Sequence, residues 1–159
     1  MRRIILILFL ATAASAQSPQ RSCESLGSVS LANTTIEAAV EESGICRVTA
    51  IVTHPPAGDR VRIWIGLPMT GWNGRFEGVG GGGFSGGNPN GIVAPVRQGY
   101  VAGSTDTGHE GGSGSFALDA TGHLNWMLIR DNAYLGIHEM TLTGKRLVEA
   151  FYGQHPQHS

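Results

Sequence analysis

The sequence predicts an α/β chain, a sheet with helices on its faces, and three observations carry that prediction. In "RVRIWIGLP", Val61, Ile63, Ile65 and Leu67 fall on one face at period two, the pattern of a half-buried strand. "YVAGSTD" (Tyr100 to Asp106) is a short, largely apolar run between a glycine and a polar loop, as expected of a buried strand. From about Asp131 to Tyr152, Ile137, Met140, Gly144, Leu147 or Val148, and Phe151 recur at three- and four-residue spacing along one face of a long helix. Strands that alternate with helices build a sheet with helices packed against it.

The remaining elements follow in chain order. Arg2 and Arg3 precede the apolar run "IILILFLA", and Ala14-Ser15-Ala16 supplies small residues before Gln17, so Met1 to Ala16 reads as a secretory signal peptide. Its apolar run is well short of the roughly 20 residues that a membrane span requires. The mature part, 17 to 159, is long enough for one domain. The stretch from Ser25 to Pro56 reads as a β-rich element in which "CRVTAIVTH" alternates as a strand until Pro55-Pro56 stops it. "RFEGVG" is a second short strand that runs into glycines, and "IVAPVRQG" a brief helix ending at Gly99. "TGHEGGSGSFALDATGH" is too polar to bury and too long for a routine connection, as are loops that line sites. Gly153 and Pro156 terminate the last helix.

Charge and cysteine usage narrow the functional classes. Without Arg2 and Arg3, nine basic residues face 12 acidic ones, a net charge near −3, and Lys145 is the single lysine. The phosphate-neutralising cluster that nucleic-acid binding needs is missing, so no nucleic-acid partner is expected, and no membrane association after signal removal. A neutral or aromatic ligand is easier to accommodate. Cys23 and Cys46, alone behind an export signal, most simply form one disulfide worth about 3 kcal/mol in the chain-entropy model. His54, His123, His155 and His158 stand at no metal-ligand spacing and read as solvated, so no metal site is expected. Trp64, Trp72 and Trp126 read as packing residues.

The segment "GVGGGGFSGG" raises the chemical question. Gly83-Phe84-Ser85-Gly86-Gly87 matches G-x-S-x-G, yet a nucleophile elbow needs a strand directly before its serine and a helix directly after it, and Ser85 has neither. A glycine run early in the sheet fits a different task, the donation of backbone N–H groups to an oxyanion, with the nucleophile following two strands later. A flexible surface loop is the plain alternative.

The motifs "LPMTGWNGRFEGVGGGGFSGG", "GYVAGSTDTGHEGG", "SFALD" and "HEMTLTGKRLVEAFYGQHPQHS" together resemble the tannase and feruloyl esterase family, in that family's order and over nearly the whole mature chain. The resemblance implies a secreted or periplasmic α/β-hydrolase that cleaves phenolic-acid or aryl esters with a Ser-Asp-His triad and carries a calcium-binding lid. It implies, too, that Gly82 and Gly83 match the positions offering the oxyanion donor, and that the loop of Asp106 and His109 shapes the floor of the site. The family's G-C-S-x-G-G elbow, acid, histidine and lid ligands have no match in these residues. The expectation is therefore an incomplete α/β-hydrolase-type sheet, the N-terminal portion of a catalytic domain at 17 to 159, inactive alone and without cofactor. Two other readings stand beside it: a non-catalytic, secreted, glycine-rich binding module whose "YVAGSTD" strand would leave an open edge, and a small esterase using Ser85.

Overall fold

The computed structural model describes residues 17 to 159; the expected signal peptide at Met1 to Ala16 lies outside the described residues. Five strands form one mixed sheet: β1 (Thr34–Glu42), β2 (Ile45–Val52), β3 (Val61–Pro68), β4 (Phe76–Val79) and β5 (Val101–Thr105), in the spatial order β1-β2-β3-β5-β4. The first three run antiparallel to their neighbours. β1 and β2 meet at Ser43-Gly44, both with positive φ, which suits the two-residue hairpin turn. β1, mostly exposed and lying at the edge, is the strand that the broad β-rich assignment left undivided.

β4 and β5 are parallel and are joined through α1 (Val93–Arg97), while β5 pairs antiparallel with β3 on its other side. All five residues of β5 are buried, as the unbroken run "YVAGST" requires. The expectation that this strand would leave an open edge is corrected: β5 is flanked by β3 and β4, and β4 is the outer strand. The connection from β4 to β5 crosses the sheet face through α1, which packs over β3 and β5, and so delivers the later strand to the inner position.

The closing helix begins earlier than its apolar stripe suggests. α2 (Trp126–Arg130) starts at Asn125, whose side chain accepts from the Leu128 amide at 3.3 Å; a π turn over Asp131–Leu135 follows, and α3 (Gly136–Tyr152) ends at Gly153 with φ 75°. Met140, Leu147, Val148 and Phe151 of α3 pack with Ile63, Ile65, Leu67 and Phe76 on one face of the sheet. On the other face Ile92 and Val96 of the α1 region meet Ile45 and Ala102. The period-two alternation of β3 is thus split between two layers, Ile63 and Ile65 towards α3 and Trp64 towards α1. Ile137 departs from the predicted stripe and is 52% exposed, because the first turn of α3 overhangs the end of the sheet.

Trp72 is buried and stacks on Tyr152 with centroids 4.3 Å apart, and its indole N–H donates to the Arg75 carbonyl at 3.0 Å. Trp126, expected to pack, is instead 64% exposed, since its short helix lies on the surface. Cys23 and Cys46 form a disulfide that ties a short 3-10 turn, Glu24–Ser28, to β2 and sets Leu26 in the core. Among the described residues no helix is long and apolar enough to cross a membrane.

Candidate functional site

The parallel strands β4 and β5 end at the same side, and a cavity of about 240 Å³ opens there. In sheets with parallel strands the carboxyl ends are where ligands bind. The glycine loop supplies one wall through Gly80, Gly81, Gly83 and Ser85; Thr105 and Thr107 supply the base; Asn132, Ile137 and Met140 from the π turn and α3 close the far side. Backbone alone forms much of the first wall, which leaves peptide groups rather than side chains facing the space.

The loop has a defined course. The Ser85 amide donates to the Gly82 carbonyl at 3.1 Å and the Gly87 amide to the Thr105 carbonyl at 2.7 Å. No acceptor among the described residues takes the amides of Gly82 or Gly83. A Cβ at Gly86 would lie 2.4 Å from the Asp106 carbonyl oxygen, so loop and strand end approach more closely than any side chain permits. The two donor candidates differ. Both have open space where a Cβ would stand, but Gly83 lines the cavity with φ 62°, whereas Gly82 is not among the lining residues and has no positive φ.

Asp106 and His109 act on loop shape. The Asp106 carboxylate accepts from the amides of Arg62 at 2.9 Å and Gly108 at 2.8 Å, clamping the turn that leaves β5. Burial raises its pKa above the ordinary carboxylate value, against those two amides, which act to lower it. His109 donates from Nε2 to the Phe84 carbonyl at 2.7 Å, and its ring stacks on Phe116 at 3.9 Å. Its other nitrogen faces the Thr107 hydroxyl at 3.4 Å, so both ring nitrogens are engaged away from Ser85. Ser85 Oγ points to Gly112, where a Cβ would lie at 2.6 Å, and no serine hydroxyl among the described residues is hydrogen-bonded to a histidine. A serine without a base is a poor nucleophile.

Thr107, Asn132 and Ile137 escaped the sequence reading as site residues. Thr107 has φ 56° and its hydroxyl bonds the Asp106 carbonyl at 2.7 Å and Asn132 Oδ1 at 3.2 Å. Positive φ at a threonine is a strained conformation of the kind found at sites. The dipeptide Asp131-Asn132 inside a helical pattern was the available signal.

A second group of polar residues lies behind the site. His54, expected to be solvated, is corrected by the structure: its backbone N–H donates to Asp59 Oδ1 at 2.7 Å, its Nδ1 pairs with Asp59 Oδ2, and its Nε2 lies 3.6 Å from Glu139 Oε1. Burial alone would lower the His54 imidazole, but the hydrogen bonds and charges of Asp59 and Glu139 carry its pKa above 6.5. Asp131 is 1% exposed, and burial together with the Asp59 charge pushes its carboxyl up to about 6. His54 and Asp59 share one turn, and the fold brings Asp131 and Glu139 to them from more than 70 positions away.

Comparison with known proteins decides the family. A model described as "Tannase and feruloyl esterase" matches residues 46 to 159, most of the described chain. The chain belongs to the tannase and feruloyl esterase family. Over 126 residues it is 34% identical to a probable feruloyl esterase of Arthroderma benhamiae, covering 76% of this chain and 22% of that protein. Over 113 residues it is 37% identical to a tannase of Aspergillus oryzae, covering 69% and 19%. Feruloyl esterase B of A. oryzae superposes with a TM-score of 0.69 at 23% identity, over 84% of this chain and 29% of that one. A tannin acyl hydrolase of A. niger gives 0.64 at 25%, over 82% and 29%. The chain thus spans about a fifth of the length of the curated esterases and under a third of the solved ones, and its sheet is part of a tannase-type α/β fold.

Proposed function

We propose that this member of the tannase and feruloyl esterase family supplies the oxyanion-binding portion of a secreted serine-type carboxylic ester hydrolase that acts on phenolic-acid or aryl esters. The observation that carries the reading is the junction of the glycine loop with the outer strand. β4 feeds directly into the loop, and the C-terminal residues run beside β4 in parallel: Arg75 bridges His158, the Phe76 amide donates to the His158 carbonyl at 3.0 Å, and the Gln157 amide to the Gly74 carbonyl at 2.7 Å. A strand in that register would reach Val79, where β4 ends and the glycine loop begins, after about four residues at roughly 3.3 Å each. That is the place for a nucleophile elbow, so that the attacked carbonyl oxygen meets the free amide of Gly83.

In this mechanism a serine outside these residues attacks the ester carbonyl, its histidine takes the proton, and the charge that develops on the carbonyl oxygen is met by fixed N–H donors. His109 and Asp106 hold the donor loop and its floor. Val79, Ile137 and Met140 offer an apolar wall suited to an aromatic acyl or alcohol group. Such hydrolysis needs no redox cofactor, and the net negative charge suits a neutral ester better than a polyanion. Residues 17 to 159 alone have the donor without the nucleophile and do not hydrolyse esters.

The test is an aryl ester assay with serine-directed phosphonate labelling of the 159-residue chain. No turnover and no label are expected, with both restored when the remaining length of the esterase is present. Labelling of Ser85, abolished by Ser85→Ala, would overturn the assignment and make this chain a small esterase.

A further inference from the structure

We infer that His54, Asp59 and Asp131 form a binding site for a divalent transition-metal cation of the zinc class, separate from the ester site. His54 and Asp59 come from the turn between β2 and β3, and Asp131 opens the π turn that interrupts the long helix. One ligand-capable atom from each lies within 4.8 Å of the other two. Asp59 and Asp131 are 3% and 1% exposed. Asp131 Oδ2 has no hydrogen-bond partner among the described residues, whereas His54 Nε2 is turned towards Glu139 Oε1 at 3.6 Å, which leaves Nδ1 as the nitrogen facing the two aspartates. A buried carboxylate oxygen without a partner, on a side chain that meets a second buried carboxylate and an imidazole, is what a missing ligand leaves behind.

Charge points the same way. Three carboxylates, Asp59, Asp131 and Glu139, surround one imidazole, so even a protonated His54 balances only one of them. Arg130 borders the same space but is exposed, where solvent screens it. A divalent ion supplies the charge that the protein does not. One imidazole nitrogen with two carboxylate oxygens is a borderline donor set, which favours zinc or cobalt over calcium or magnesium, ions that prefer oxygen alone.

The space fits an open, three-ligand centre. Donors about 2.0 to 2.2 Å from an ion stand roughly 3.5 Å apart, so the cluster needs to tighten by about 1 Å, while the His54–Asp59 pair opens as the ion replaces the proton that they share. A cleft of about 240 Å³, bordered by Ala57, Trp126, Met127 and Leu135, reaches the cluster from the surface and leaves a fourth position for water. Glu139, facing the second ring nitrogen, is placed to orient the imidazole from behind. The bound ion joins the β2–β3 turn to the helix that carries Asn132, and so braces one wall of the ester cavity.

The test uses the 159-residue chain without a histidine tag, stripped with chelator and titrated with zinc chloride by calorimetry and with cobalt chloride by visible absorption. Saturation at one equivalent is expected, with ligand-field bands of nitrogen and oxygen ligation. Asp131→Asn and His54→Gln should each weaken zinc affinity about tenfold or more, and Glu139→Gln by less. Absence of saturable cobalt or zinc binding up to millimolar concentrations overturns the site. So does equal affinity in either ligand variant, which would assign binding to surface histidines such as His155 and His158. Tighter binding of calcium than of zinc overturns the class of ion. The wild-type titrations stand without any variant, and His54→Gln, at a half-buried position, covers a failure of Asp131→Asn to fold.

Discussion

Gly82 and Gly83 are chemically identical and positionally distinct. At Gly83 φ is 62° and the residue lines the cavity; a β-branched residue there must leave the left-handed region and turn the adjoining peptides with it. In the complete esterase Gly83→Val should therefore lower kcat for an aryl ester by about a hundredfold or more, corresponding to the roughly 3 kcal/mol lost with one oxyanion donor. Gly82→Ala keeps the N–H, meets nothing within 4 Å and should leave kcat largely unchanged. Steady-state kinetics of the two variants side by side distinguish an oxyanion loop from a merely flexible one, since flexibility would make the two positions equivalent. His109 and Phe116 belong to the same scale. Their stack, with the Phe84 carbonyl as acceptor, fixes the peptide between Phe84 and Ser85, one residue beyond Gly83.

Among the elements, the contact of α3 with β4 and β5 sets the depth of the site. Gly144 lies where a Cβ would stand 2.4 Å from the Phe76 ring, so helix and strand touch with no room for a side chain. Gly144→Val should cost about 1 to 3 kcal/mol by overpacking, beyond its weak helix propensity, and lower the midpoint of urea denaturation at an unchanged slope. An unaltered midpoint would mean that α3 can shift outward freely, and Met140 would then not hold the cavity wall. The π turn belongs here too. Its extra residue carries Asp131 inward, so that Asp131 and Asn132 serve two different clusters from neighbouring positions.

For the whole molecule, the Cys23–Cys46 disulfide closes a separation of 23 residues between the N-terminal turn and the second strand of the sheet. Reduction should destabilise the fold by about 3 kcal/mol in the chain-entropy model. Chemical denaturation with and without reductant measures this, and equal stabilities would show that burial of Leu26 alone holds the turn. The outer face of β4, by contrast, is paired only at its start, through residues 157 and 158. An outer strand of that kind presents unpaired N–H and C=O groups to which a further strand can add.

The sequence by itself determined the α/β class, the βαβ unit that ends in glycines, the disulfide partners and the family. Each follows from local periodicity, from composition or from motifs contiguous in the chain: Val61 to Leu67 alternate, "YVAGST" is a short, largely apolar run, and two cysteines have one pairing. The tertiary structure alone decided that β5 lies inside β4, that Gly83 faces the cavity while Gly82 does not, that Ile137 overhangs it, and that His54 meets Asp59 and Asp131. Strand order depends on a crossover, the cavity lining on the course of the glycine loop, and the cluster of His54 and Asp59 with Asp131, more than 70 positions away, on how a turn and a helix pack. These are distances through space, which spacing along the chain does not encode.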